Sequence, residues 1–401
     1  MPVFGERARV ATIFAAVLTL VVAGAVSERR SRADGAPRVP TDRAEVLERL
    51  PASLGRDRSE LEARERAALE APNDAAAIAA YVERAVVEAR RTGDPRWLGR
   101  ARAMMGPYWL AKAAPDKLVL LRATIKQSLH DFEGARADLD ALTVTSPGDP
   151  QVWLTRATVL FVLASYDAAR DSCARLAPLA SPVIVTTCTA TIDSVTGHAQ
   201  KAYDALLPLA TTAAGDLLPW ALSTLGEIAL RRGDAAAAEK HFREALAKDA
   251  GDRYTRGALA DLLLDANRPQ EASALLTEHT DDDGLLLRLA IAETRSQAPS
   301  AEARRRSIYE RHEAARGRGD AVHLREEARY FLDLTDDAAR ALELARRNFA
   351  VQKEPWDTRL VLEAALRARA PAAAADAVAL VRSSRTEEPA LRRLAAGLGA
   401  P

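Results

Sequence analysis

Residues 220–248 read WALSTLGEIALRRGDAAAAEKHFREALAK. Gly226 and Ala238 stand twelve apart with Gly233 between them, and Phe242 and Ala245 follow Ala238 at four and seven places. Those intervals describe two helices folded back on each other. Small side chains mark the closest crossing, a glycine turns the chain, and the four-and-seven spacing puts apolar residues on one helical face. The pattern recurs in both directions. Small pairs twelve apart fall at Ala123/Ala135, Ala157/Ala169, Ala190/Ala202, Gly226/Ala238 and Ala260/Ala272, repeating every 33 to 36 residues. Seven places after the first member of each pair come His130, Ala164, Gly197, Gly233 and Asn267. The glycines and the asparagine tolerate the left-handed conformation that closes a helix. The second helices add Leu139 and Leu142, Cys173 and Leu176, and Leu206 and Leu209 at the same two places. This spacing predicts a pile of helical hairpins, and no stretch shows the period-two alternation of a strand.

The residues Leu222, Leu225, Gly226, Gly233, Ala238, Phe242 and Ala245 resemble one unit of the tetratricopeptide repeat family, whose repeat is about 34 residues long. Trp153, Ala157, Tyr166, Ala169 and Pro182 resemble another unit, and Ala123, Phe132, Ala135 and Pro147 a third. The resemblance covers residues 116–286, and the whole chain resembles exported bacterial proteins of this family with no assigned activity. It implies an all-α fold, a right-handed α-solenoid of stacked helix-turn-helix repeats preceded by a hydrophobic amino-terminal helix. It also implies a protein that binds other proteins or peptides rather than an enzyme.

A chain of 401 residues is long for one compact core. A solenoid removes that difficulty, because each repeat buries surface only against its neighbours; hairpins are therefore expected to touch consecutive ones alone. The 56 basic and 56 acidic residues cancel, and 49 of the bases are arginine. The densest basic run, Arg304 to Arg306 with Arg311, Arg316 and Arg318, is interleaved with Glu302, Glu310 and Glu313 and reads as a solvated helix face. No nucleic-acid partner is expected.

At the amino terminus, Arg7 and Arg9 precede an apolar or small stretch from Val10 to Val26, and Ala23-Gly24-Ala25 has the pattern of a signal-peptidase site. Against cleavage stand Arg29, Arg30 and Arg32 just beyond. Residues 1–26 therefore read either as a signal peptide or as a membrane anchor, the latter being the chain's one membrane contact. Residues 27–41 read as a flexible tether, and 42–114 as amino-terminal capping helices, at about 42–50 and 57–70, with a degenerate repeat. Residues 116–286 form the clear repeats, and 287–401 are degenerate repeats with a carboxy-terminal cap. In that last region Ala328/Ala341 and Ala364/Ala377 keep the beat with one inserted residue. A periplasmic or otherwise extracytoplasmic location follows from the amino terminus.

Catalytic signatures are missing. The sequence has no glycine-rich phosphate loop, Gly-x-Ser-x-Gly elbow or His-Glu-x-x-His motif, and no cofactor or metal is expected. The acidic turn Asp281-Asp282-Asp283-Gly284 lacks the alternate ligands of a calcium loop. Cys173 and Cys188 fall on helices of successive hairpins, where they form either a disulfide in an oxidising compartment or two buried thiols. Binding is sought on the first helices, which line the inner side of such a stack. One place after each small residue come Thr124, Thr158, Thr191, Glu227 and Asp261; six places before come Lys117, Gln151, Ile184, Trp220 and Tyr254. A hydroxyl track thus leads into two aromatics beside two carboxylates, a patch suited to a basic peptide segment. The rival readings are a metal-binding or enzymatic site around His323, Glu326 and Glu327, and a stalk that only spaces the tether from a distant contact.

Overall fold

The computed structural model describes residues 57–317 and 324–399. Among them there is no strand, and no helix is long and apolar enough to cross a membrane. The signal or anchor segment 1–26, the tether 27–41, the helix expected at about 42–50 and His323 lie outside the described residues.

Among the described residues, helix α1 (Asp57–Glu70) precedes nine helical hairpins. The first is α2 (Ala75–Thr92) with α3 (Arg96–Met105), which ends in a 3-10 turn at Gly106–Trp109. The next five pair α4 (Asp116–Ser128) with α5 (Phe132–Thr145), α6 (Pro150–Val162) with α7 (Tyr166–Arg175), and α8 (Pro182–Val195) with α9 (Ala199–Ala210). They continue with α10 (Leu217–Arg231) and α11 (Ala235–Lys248), then α12 (Arg253–Asp265) and α13 (Pro269–Leu276). The last three join α14 (Asp283–Arg295) to α15 (Ala301–Gly317), α16 (Leu324–Leu334) to α17 (Ala338–Val351), and α18 (Pro355–Arg367) to α19 (Ala375–Ser384) by way of a 3-10 turn. Helix α20 (Pro389–Gly397) closes the series. Residues 309–317, the end of α15, belong to a second compact unit.

The small residues sit where the helices cross. Ala123, Ala135, Ala169, Ala238, Ala260 and Ala272 have no exposed surface, and Ala157, Ala190 and Ala202 have almost none. Gly226 shows why the position must be small: a Cβ there would lie 2.5 Å from a ring carbon of Phe242, which is itself fully buried. The two later pairs, Ala328/Ala341 and Ala364/Ala377, are buried likewise. Each first helix serves two layers. On α4, Leu118, Leu121 and Ile125 join the core of the hairpin before, whereas Leu120 and Ala123 join that of the hairpin after.

The turns share one geometry. His130, Ala164, Gly197, Gly233 and Asn267 all have φ between 55° and 81°, and Gly93, Gln297, Asp336 and Arg369 extend the series. In most of them the next residue donates to a carbonyl five places back, as Ser165 does to Leu160 at 2.8 Å and Arg268 to Leu263 at 2.8 Å. Histidine and alanine thus adopt the left-handed turn alongside glycine, because the hairpin's packing and hydrogen bonds outweigh a local preference of about 1–2 kcal/mol.

One expectation requires correction. Consecutive hairpins do stack, but contacts are not confined to neighbours. The Lys353 amide, just before α18, donates to the Val162 carbonyl at the end of α6 (2.8 Å). The Ala199 amide, first in α9, donates to the Glu387 carboxylate (2.7 Å), and a Cβ on Gly197 would meet the Arg385 carbonyl at 3.1 Å. Nearer the amino terminus, Arg253 Nε donates to the Arg91 carbonyl (3.1 Å). Hairpins five or six apart therefore touch, because helix ends left open by the stack still carry unsatisfied amides and carbonyls that a later hairpin supplies with partners.

Candidate binding hollow

The first helices carry the residues singled out in the sequence, and the structure brings only some of them together. Tyr254 on α12 is 64% exposed and donates its hydroxyl to Glu227 on α10 (2.7 Å). Glu227 also pairs with Arg231 one turn on (2.7 Å). Desolvation, and then the Glu227 and Glu354 carboxylates, push the Tyr254 phenol well above its ordinary range. The residue is open to water over most of its surface, and the charges of Glu227 and Glu354 bear on its hydroxyl. Trp220 is half-buried at the start of α10 and makes no ring contact with Tyr254 among the described residues.

Two expectations about this face are corrected. The threonine track offers few free donors: Thr124, Thr158 and Thr191 donate back to Leu120, Leu154 and Thr187 at 2.9, 3.0 and 2.9 Å. A threonine inside a helix satisfies its hydroxyl in this way. Asp261 presents no free carboxylate, being 3% exposed and paired with Arg288 (2.8 Å) and Arg329 (2.6 Å). Burial raises its pKa, but the two guanidiniums more than offset that and hold the carboxyl below its usual range.

The chemistry the sequence reading missed lies farther along the same face. Asp265 from α12, Arg295 from α14, Arg329 and Asp333 from α16, and Arg359, Glu363 and Arg367 from α18 line a cavity of about 120 Å³. Trp356 completes it, its ring flanked by the guanidiniums of Arg329 (4.9 Å) and Arg359 (4.5 Å). Beside it, Asp357 is buried and accepts from Arg325, Asn348 and Gln352, which fixes the start of α18. A signal for these residues was present in the sequence. Places one and five after the small residue hold Glu227/Arg231, Asp261/Asp265 and Arg329/Asp333, a charged pair repeated one helical turn apart.

Other candidates resolve differently. The structure joins Cys173 on α7 to Cys188 on α8 by a disulfide, with Cα atoms 5.7 Å apart. The acidic turn at 281–284 serves structure: Asp282 caps α14 by accepting from Leu285, and Asp281 and Asp282 both pair with Arg253. Of the residues around His323, Glu327 is buried on α16. Among the described residues no group of three His, Cys, Asp or Glu is placed to hold a metal ion.

Helical hairpins stacked in one register define an α-helical repeat protein. Residues 229–292 match the family model for the tetratricopeptide repeat, and the same hairpin geometry continues on both sides of the match. Over residues 229–292 the chain is built of tetratricopeptide repeats, set within a longer all-α series of hairpins. No curated protein matches the sequence significantly. Similar solved structures include PilW, a type IV pilus biogenesis factor, with 13% identity over 51% of this chain and 96% of that one and a TM-score of 0.40. Human IFIT1 has 10% identity, 86% and 89% coverage and a TM-score of 0.46. A tetratricopeptide repeat protein from Parabacteroides merdae has 14% identity, 71% and 99% coverage and a TM-score of 0.32. Similarities this loose transfer neither a partner nor an activity.

Proposed function

We propose that this chain is a non-enzymatic scaffold that binds a protein or peptide in the bacterial cell envelope and supports assembly, transport or tethering of other envelope components. The observation that carries the binding reading is Tyr254, a large aromatic left exposed on the first-helix face and tied to Glu227 rather than packed into the core. A preformed surface of this kind binds without having to order itself, which removes one of the main costs of association. Two features support the envelope location: the charged-then-apolar amino terminus, and the Cys173–Cys188 pair, since disulfides persist in oxidising compartments. Released from a membrane or held by its amino-terminal segment, the protein would present the same face.

The test is cross-linking in intact cells, followed by identification of the co-purified proteins, with wild type and with Trp220→Ala and Tyr254→Ala. Loss of one defined partner from both variants, with circular dichroism unchanged, is the expected result. Undiminished capture by both variants refutes the patch. Metal analysis of the purified protein checks the rival reading, in which stoichiometric zinc or iron would depend on His323.

A further inference from the structure

Four arginines from three first helices converge on the cavity at Asp333, and they are not equally engaged. Arg359 is held by Asp265 at 2.5 and 2.7 Å and by Glu363 at 2.7 Å. Arg329 is held by Asp261 at 2.6 Å and by Asp333 at 3.3 Å. Arg295 and Arg367 differ. Each donates one nitrogen to a main-chain carbonyl, Leu264 at 3.1 Å and Leu332 at 2.6 Å. Their remaining Nη2 atoms stand 3.8 and 3.6 Å from the same Asp333 oxygen, beyond hydrogen-bonding range. Two guanidinium forks are therefore anchored by the backbone and turned toward a carboxylate already bonded to a third arginine.

The charge count points the same way. With Asp261 and its second partner Arg288 included, five guanidiniums (Arg288, Arg295, Arg329, Arg359 and Arg367) face four carboxylates (Asp261, Asp265, Asp333 and Glu363), so one positive charge is left over. The cavity of about 120 Å³ has the liquid volume of about four waters at ~30 Å³ each, enough for a group of a few heavy atoms. The flanking arginines already engage Trp356, so the cavity offers polar rather than aromatic recognition. A planar monoanion matches both the unused donors and the surplus charge, because guanidinium forks bind carboxylates in a bidentate manner.

Resting on the scaffold reading above, we infer that this cavity receives one carboxylate, an Asp or Glu side chain of an acidic partner segment, gripped by Arg295 and Arg367. This reverses the polarity suggested by the patch around Asp261, whose charge is neutralised within the protein.

The experiment needs no partner. Thermal unfolding of the full chain is followed while acetate, or in a parallel series inorganic phosphate, replaces chloride at constant ionic strength. Acetate is expected to raise Tm saturably, by about 2–5 °C at high occupancy. The rise should vanish in the double variant Arg295→Gln/Arg367→Gln and persist in Arg136→Gln, a surface change in another hairpin. An acetate response no larger than that of chloride, or one retained by the double variant, overturns the proposal. A response to phosphate alone overturns the carboxylate source. Since partner capture by the Trp220 and Tyr254 variants is measured separately, failure here leaves the scaffold reading standing, and the converse holds.

Discussion

Gly226 and Phe242 meet at a helix crossing that leaves no room for a side chain on residue 226, and a double-mutant cycle on them measures how far the hairpin geometry dictates sequence. A methyl group at residue 226 would sit 2.5 and 2.6 Å from two carbons of the Phe242 ring, about 1 Å inside ordinary contact. The ring is fully buried and has no open direction in which to retreat. Overpacking of this kind costs about 1–3 kcal/mol, whereas replacing glycine by alanine inside a helix recovers about 1 kcal/mol. Gly226→Ala should therefore destabilise by up to about 2 kcal/mol. Phe242→Leu alone removes buried ring atoms opposite a glycine and should also cost about 1–2 kcal/mol.

Combined, the two changes recreate what three other hairpins already use. Sixteen places after Ala123, Ala190 and Ala260 come Leu139, Leu206 and Leu276, all fully buried. The double variant should thus be more stable than the sum of the single changes predicts, by about 1–2 kcal/mol of coupling. Urea unfolding followed at 222 nm provides the assay, with comparison limited to variants of equal slope because repeat arrays can lose cooperativity. If the two effects add within about 0.5 kcal/mol, the crossing is not what keeps residue 226 a glycine.

Ala164→Gly should stabilise the protein by about 0.5–1 kcal/mol, read as a higher urea midpoint, because Ala164 holds a left-handed φ of 57° that glycine adopts without strain. Replacing Cys173 and Cys188 by alanine should cost about 3 kcal/mol by loop entropy for a separation of 15 residues, and the unreduced, denatured wild type should show no titratable thiol. His241 is buried against Tyr203 (2.7 Å), and burial lowers its pKa despite the nearby Glu244. The unfolded chain then takes up this proton first, so stability should fall as pH drops below 6.5 and level off below the folded pKa, with His241→Gln flattening that slope in urea titrations between pH 7 and 5. Glu387→Ala should speed hydrogen exchange of the Ala199 amide, which loses its acceptor, while leaving the amides of α4 and α5 unchanged.

The fold was largely legible because hairpin packing writes itself into sequence at short range. A crossing that admits only a small side chain, and a turn seven places later, leave marks within one repeat, and Ala123 to Ala272 kept that phase without a break. Even the charged helix expected at 57–70 forms as Asp57–Glu70. The site was less legible because its contacts cross between repeats. Reading Asp261 as exposed followed correctly from its place on the first-helix face, but the residues that bury it, Arg288 and Arg329, lie one and two hairpins farther on. Thr124, Thr158 and Thr191 misled differently: their positions were right, but a helical threonine satisfies its hydroxyl on its own backbone. The cavity at Asp333 draws on four helices spread over about 100 residues, a distance at which one sequence carries charge periodicity but no pairing.

The contacts between distant hairpins change what the stack can do. An array touching only its neighbours bends freely, since its stability is a sum of neighbouring terms. Here the bonds from Lys353 to Val162, Ala199 to Glu387, Arg253 to Arg91 and Arg359 to Asp265 bridge hairpins that are not neighbours. Each such hydrogen bond or exposed ion pair contributes about 0.5–1.5 kcal/mol net, so together they amount to a few kcal/mol. A ligand that prefers the opened stack by more than that amount would release these contacts, whereas unaided they part only a small fraction of the time. Glu354, just before α18, bears on Tyr254, and α18 itself lines the Asp333 cavity; the bonds from Lys353 and Arg359 secure this segment. Closure and the shape of the candidate site are therefore set by the same contacts, and weakening them should alter binding even where no ligand-facing residue is touched.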